Sequence, residues 1–245
     1  MTPRTKEQNE EIRLRRLAQI RIAAADVFLD KGLTLEIRDV AAEAGLGYGT
    51  VYHYYSNKGD LLHDVLWTAM DQAGEWMGGG DPEAPPPKGT GKVGFNADFR
   101  DEEQEAGADP LVEAGTRLLQ LWAKDHAVYL LFKLAAEGFR LLPEARAMPL
   151  ADAFRREVLL PFAGVLEHGL LLGPRGPIPS EAPGRGTAEA ERIRQAEMLL
   201  AALAGCAVSP LRQGTLGREA AGIARLLLHR LSERARLNIE GVKAK

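Results

Sequence analysis

Apolar residues return every three or four positions along almost the whole chain, and no stretch shows the sustained alternation that a half-buried strand requires. This period predicts an all-α fold. A first long helix is expected over about residues 5–31, with Leu14, Leu17, Ile20, Ala24, Val27 and Phe28 on its buried stripe and Gly32 as its stop. Short helices follow over about 35–44, ended by Gly45, and over 48–54. Ser56 or Asn57 can then cap a fourth helix over about 58–76. Later helices are expected over about 111–124, 126–142, 150–172, 187–208 and 216–237. Two stretches break the period. Residues 78–110 carry Gly78-Gly79-Gly80, Pro85-Pro86-Pro87 and the acids Asp101, Glu102, Glu103 and Glu105, and residues 173–186 are again rich in Pro and Gly. Neither can bury enough apolar surface to offset its ordering entropy, so both read as flexible loops.

The chain of 245 residues is long enough for a small and a larger domain, and the change in pattern suggests residues 1–66 and 67–245. With 34 acidic and 31 basic residues the formal charge is −3, so no excess of positive charge announces a nucleic-acid partner. Residues 1–65 hold nine Lys and Arg against ten Asp and Glu, and a basic face there must come from arrangement. Arg4, Lys6, Arg13, Arg15, Arg16, Arg38 and Lys58 could form one, although Arg13, Arg15 and Arg16 read equally well as the wet face of the first helix. Charges at Arg4, Lys6, Glu7, Glu10, Glu11 and Arg13 interrupt any secretory leader, and the longest uncharged run, from Met198 to Leu211, is too short to cross a bilayer. A cytoplasmic protein without a membrane partner is the expectation. The single cysteine, Cys206, lies in an apolar segment and reads as a buried, inert thiol.

The informative stretch runs from Ile37 to Lys58. Val40, Ala41 and Ala44 form the inner face of one short helix, Gly45 permits a left-handed turn, and Leu46 and Val51 close a small core with the next helix. With Val51 inward, Tyr48, Thr50, Tyr52 and His53 distribute around the exposed side. A short helix presenting small and polar side chains has the shape that enters a major groove. Tyr54 and Tyr55 read as packing residues, and His63, beside Asp60 and Asp64, as a solvated or paired side chain.

The run Gly49-Thr50-Val51-Tyr52-His53-Tyr54-Tyr55-Ser56-Asn57-Lys58-Gly59-Asp60-Leu61, preceded by an Ala-rich helix and a glycine turn, resembles the DNA-binding domain of the TetR family of bacterial regulators. The likeness covers about residues 12–66. It implies a homodimeric, ligand-responsive transcriptional regulator, a repressor on double-stranded operator DNA. Carried over by position, it implies that Tyr48, Gly49 and Thr50 approach bases or phosphates, that Tyr52 and His53 bond phosphates, that Lys58 makes a backbone contact and that Arg38 reaches the groove edge. Gly47 stands where the family often has a capping Ser, and Gly59 where a Glu is common, so the third helix must begin on bare backbone donors.

Among the later helices, Leu118, Trp122, Leu131, Phe139, Phe162 and Leu166 would by the same resemblance line a pocket for an apolar or amphipathic effector, although core packing explains them equally. Leu199, Leu200, Leu203, Ile223 and Leu227 are candidates for a four-helix dimer interface, or for an intrachain core. Dimerisation would set two recognition helices roughly 34 to 36 Å apart on a palindrome. No metal, cofactor or catalytic group is expected. Gly89-Thr90-Gly91-Lys92-Val93 lacks the first glycine, the hydroxyl and the preceding strand of a phosphate loop, and Gly45, Gly47 and Gly49 lack dinucleotide spacing. The rivals are an all-helical enzyme, which would need clustered titratable groups where His53, His63 and His126 lie in unrelated surroundings, and a helical interaction protein that never meets DNA.

Overall fold

A computed structural model describes residues 6–74, 77, 109–170 and 185–243. Within them the chain is all-α, in ten helices. The two segments read as loops lie mostly outside the described residues, as does Arg4. The N-terminal part comprises α1 (Lys6–Lys31), α2 (Ile37–Glu43), α3 (Tyr48–Tyr54) and α4 (Lys58–Met70). The rest comprises α5 (Pro110–Lys124), α6 (His126–Ala136), α7 (Glu144–Phe154), α8 (Leu160–Leu170), α9 (Arg185–Arg212) and α10 (Leu216–Lys243).

Helix α1 ends where Gly32 takes φ +59°, and a single 3₁₀ turn carries the chain to α2. Its buried face is Ile20, Ala23, Ala24, Ala25, Val27 and Phe28, all toward the C-terminal half. Leu14, expected on that stripe, is 56 % exposed and Leu17 is half-buried. Helices α2, α4 and α6 cover the later turns of α1 and the earlier ones project beyond them. Helix α4 runs unbroken through residue 66 to Met70 and packs on α1, α6 and α7. The domain boundary expected at 66 therefore falls inside a helix shared by both parts.

Two other boundaries move. Helix α6 stops at Ala136 because Gly138 (φ +68°) and Phe139 (φ +53°) are left-handed. For phenylalanine that conformation costs on the order of 1–2 kcal/mol, offset here by burial of the ring, which meets the edge of Phe154 at 6.2 Å. The helix expected over 150–172 begins at Glu144 and passes through a π-turn at Arg155–Leu159 into α8. Pro149 is accommodated inside α7, where its missing N–H leaves one turn without its bond.

Helices α5 and α10 make the most extensive helix pair. Gly115 is what lets them approach: a Cβ there would stand 2.4 Å from Leu228 Cδ1 and 3.4 Å from Ala224 Cβ, and both side chains are fully buried. Gly115→Val is expected to overpack this contact and cost about 1–3 kcal/mol, read as a lower urea midpoint. An unchanged midpoint would mean that α10 does not seat on α5 this closely. Cys206 is exposed, not buried. It lies in an apolar segment of α9, but Ala204 and Ala207 take the inward positions beside it.

Candidate nucleic-acid interface

Helices α2 and α3 form a compact pair. Glu36 N donates to Asp39 Oδ2 at 3.0 Å in the first turn of α2, and Lys31 holds the same carboxylate at 2.8 Å. Gly45 takes φ +62° between the helices, and Gln19 Nε2 of α1 donates to the Ala44 carbonyl at 2.6 Å, fixing the turn to the long helix. Val40, Ala41, Ala44 and Val51 are buried and Leu46 is half-buried, as their spacing predicts. Gly47 caps α3 with no side-chain bond. Asn57 caps α4, its Oδ1 accepting from Asp60 N at 2.9 Å.

With Val51 inward, α3 turns Tyr48, Gly49, Tyr52 and His53 to the outside and leaves Thr50 half-buried. Tyr48 and Tyr52 are 55 % and 50 % exposed, and their rings stack with centroids 5.7 Å apart and planes at 28°. His53 meets Tyr54 edge-on at 5.7 Å. Arg38 and Lys58 are exposed, and Arg38 Nε pairs with Glu36 Oε2 at 2.8 Å. Leu35, Glu36, Ile37, Arg38, Tyr48, Tyr52, Ser56 and Lys58 line one shallow concavity. It brings together four of the seven expected contact residues, while Gly49, Thr50 and His53 lie outside it on α3.

Behind this face stands a network that no spacing reveals. Arg21 of α1 donates to both carboxylate oxygens of Asp64 on α4, at 2.7 and 3.1 Å, across 43 positions. The Tyr55 hydroxyl, one residue beyond α3, donates to the same carboxylate. Burial pushes the Asp64 carboxyl up, but the bonds from Arg21 and Tyr55 outweigh it and hold the group below the usual carboxylate range. Burial, reinforced by Asp64, pushes the Tyr55 hydroxyl well above its ordinary value, so it stays a donor. Helix α3 is thus tied at its C-terminal end to α1 and α4 at once. His63 accepts from Trp67 Nε1 at 2.9 Å, the paired role expected of it.

Three contacts join this frame to the later helices. Arg146 of α7 reaches Asp60 of α4 at 2.5 Å, Arg212 of α9 donates to the Leu29 carbonyl at 3.1 Å, and His126 of α6 pairs with Asp26 of α1 at 2.5 Å. The bond to Asp26 raises the His126 pKa above its ordinary 6.5, with burial opposing. A raised folded-state value stabilises fully below about pH 6.5 and ceases to do so as pH climbs through it. Stability is therefore expected to fall on going from pH 6 to pH 9 by under about 1 kcal/mol, since the pair is one-third exposed, with His126→Gln removing that part of the slope. Urea titrations across the range decide it; identical slopes in both proteins would show that this pair does not titrate with folding.

A cleft of about 930 Å³ opens between α6, α7 and α9. Phe132, Phe139, Phe154, Leu159 and Leu200 give it apolar walls, and Glu137, Arg140, Asp152, Arg155 and Glu197 add charge. Of the six residues expected to line a pocket, Phe139 does so. Leu118, Trp122, Leu131, Phe162 and Leu166 are buried but form no part of its lining. They pack against one another's helices; Trp122 has Tyr129 and Phe132 edge-on at 5.5 and 5.2 Å, and its Nε1 finds no hydrogen-bond partner among the described residues. Leu200 and Leu203, expected at a dimer interface, are buried in the chain's own core because α9 turns its strongest apolar stripe inward. Leu199, Ile223 and Leu227 are half-buried at its edge. Met198 and Leu226, not foreseen, are 67 % and 75 % exposed.

A glycine-turned helix pair on a long first helix, with a short outward second member, is the helix-turn-helix of DNA-binding transcription regulators. Residues 20–65 match the sequence profile of the bacterial regulatory proteins, tetR family. Among solved structures it is similar to a tetR-family regulatory protein from Rhodococcus RHA1, at 19 % identity and TM-score 0.48, covering 86 % of this chain and 96 % of that one. It is also similar to the fatty acid degradation regulator FadR from Bacillus halodurans, at 16 % identity and TM-score 0.46, covering 86 % and 97 %. A transcriptional regulator from Rhodococcus sp. Rha1 matches at 19 % identity and TM-score 0.46, over 87 % and 96 %. No curated protein matches the chain in sequence. Among the described residues no helix is long and apolar enough to cross a membrane.

Proposed function

We propose that the protein is a repressor that binds a palindromic operator as a homodimer and is released by a small apolar or amphipathic effector. The observation that carries this reading is the outward face of α3, with Tyr48, Gly49, Tyr52 and His53 exposed around a buried Val51 and Arg38 and Lys58 beside it. Those residues and Thr50 meet the duplex: Lys58 and His53 bond phosphates, and Arg38 with the outward face of α3 lies against base edges. The DNA-binding unit ends with α4, and the later helices form the effector and dimerisation unit. Half-buried Leu199, Ile223 and Leu227 with exposed Met198 and Leu226 supply apolar surface on α9 and α10 for a second copy.

The cleft supports an effector with an apolar body and a polar end, and Phe139 is its first-choice contact. Its wall α7 also carries Arg146, which holds Asp60, and Asp60 in turn bonds the Asn57 cap directly after α3. A ligand that moves α7 therefore shifts the helix start that follows the recognition helix, and operator affinity falls by coupling. The test is a gel shift of the full chain on DNA flanking its own coding region, at low and raised salt, with sedimentation of the free protein. A retarded dimer whose affinity drops steeply with salt is expected. A folded monomer that leaves every fragment unretarded would overturn the reading.

A further inference from the structure

The recognition helix is unusual in what it does not carry. Base edges are commonly distinguished by Arg or Lys on guanine and by Asn or Gln on adenine, and Tyr48–Tyr54 contains none of the four. What it exposes is two tyrosine rings, a glycine whose Cα has nothing within 4 Å of an added Cβ, and a histidine. A further direct signal in a major groove is the C5 methyl of thymine, which is read by apolar contact.

Tyr48 and Tyr52 are suited to that contact. They stand one helical turn apart, stacked, and each is at least half exposed, so they form one apolar plate on the side of α3 that faces outward. Two phosphate donors would need their hydroxyls in reach of the backbone but would have no need of a shared plate. Apolar area left in water by the free protein gains when a partner covers it. The same concavity holds Arg38, which among its described lining residues is the one guanidinium. Its ion pair with Glu36 engages Nε, and a guanidinium has two further amino groups with which to meet the O6 and N7 of a guanine.

We infer that the stacked Tyr48–Tyr52 plate reads thymine methyl groups and that Arg38 reads a guanine next to them. Each half of the binding site then carries a thymine under α3 and a guanine at its edge. The inference rests on the DNA-binding reading above and adds the sequence class that α3 selects.

The full chain would be used to enrich duplexes from a random pool, and the winners resynthesised with deoxyuridine for each thymine in turn, which removes a methyl and nothing else, or 7-deazaguanine for each guanine. One thymine per half-site is expected to lose about fourfold in affinity as uracil, the worth of one buried methyl-sized group. The loss should persist in the double variant Tyr48→Phe, Tyr52→Phe, which keeps the rings, and vanish in Tyr48→Ala, Tyr52→Ala; the 7-deaza penalty should vanish in Arg38→Ala. Thermal melts of each variant matching the parent establish that the frame is intact. Enriched sites indifferent to every uracil, or uracil penalties that survive in the alanine pair, would overturn the inference and leave the regulator intact. Duplex binding with no enriched sequence would also overturn it. A chain that retains no duplex at all would overturn the proposed function itself.

Discussion

Asp64→Ala is expected to lower the stability of the DNA-binding end by about 2–3 kcal/mol at neutral pH and to weaken DNA binding with it. The carboxylate accepts from Arg21 on α1 and from Tyr55 at the end of α3, so its loss leaves a half-buried guanidinium and a buried phenol hydroxyl without their acceptor. A charge-assisted network of this kind contributes more than a surface pair, and its one-third exposure keeps it below a fully buried one. The pH dependence has a definite sign. Asp64 is held below the usual carboxylate range, so its contribution is present above the unfolded value near pH 4 and is lost as pH falls through the lower folded value. Parent and variant should therefore converge in acid. Tyr55→Phe removes one bond of the set and should cost about 1 kcal/mol. Urea unfolding followed by helical circular dichroism checks all three, and equal midpoints at pH 7 for parent and Asp64→Ala would mean that the network does not hold α3.

Gly49→Glu should leave the fold intact and remove DNA binding. Nothing lies within 4 Å of a Cβ built at Gly49, and its backbone is helical, so the frame gains slightly from losing a helical glycine, by about 0.5–1 kcal/mol. The same openness is what lets α3 approach a duplex closely, and a carboxylate there meets phosphates and acceptor edges. Like-charge juxtaposition across an interface costs several kcal/mol, which corresponds to a loss of about 100-fold or more. Gly49→Ala, which adds bulk without charge, should fall between the two. A melting temperature at or above that of the parent together with an empty gel shift is the expected pair of results. Retained binding would place the duplex on some other face of the molecule.

The helix-turn-helix was legible in the order of residues because every signal in it is local. A left-handed turn at Gly45, an inward Val51 and an Asn57 cap each depend on neighbours within a few positions, and backbone sterics and 3.6-residue periodicity act at that range. Other features depend on which helices meet, and at what level. Leu14 belongs by period to the buried stripe of α1 yet lies beyond the helices that cover it, and Cys206 sits among apolar residues yet turns outward. Leu200 and Leu203 fitted a dimer seam or a core by their spacing, and the seating of α9 buries both within the single chain. Periodicity assigns a residue to a face; it does not say what packs on that face or how far along.

The contacts that hold the recognition frame together and join it to the later helices lay wholly beyond the sequence. Arg21 with Asp64, Arg146 with Asp60 and His126 with Asp26 join positions 43, 86 and 100 apart, and a charged residue on a helix surface carries no mark of its distant partner. The cleft follows the same logic. Large apolar residues fill a core or border a space according to how neighbouring helices seat, and that sets Phe139 where the core meets the cleft and Trp122 away from it. The chain's order of residues determined that a short polar helix would be held outward for DNA. The packing of α4 against α6 and α7 decided what that helix is fastened to, because only close approach in space turns isolated charges and apolar bulk into a network and a cavity.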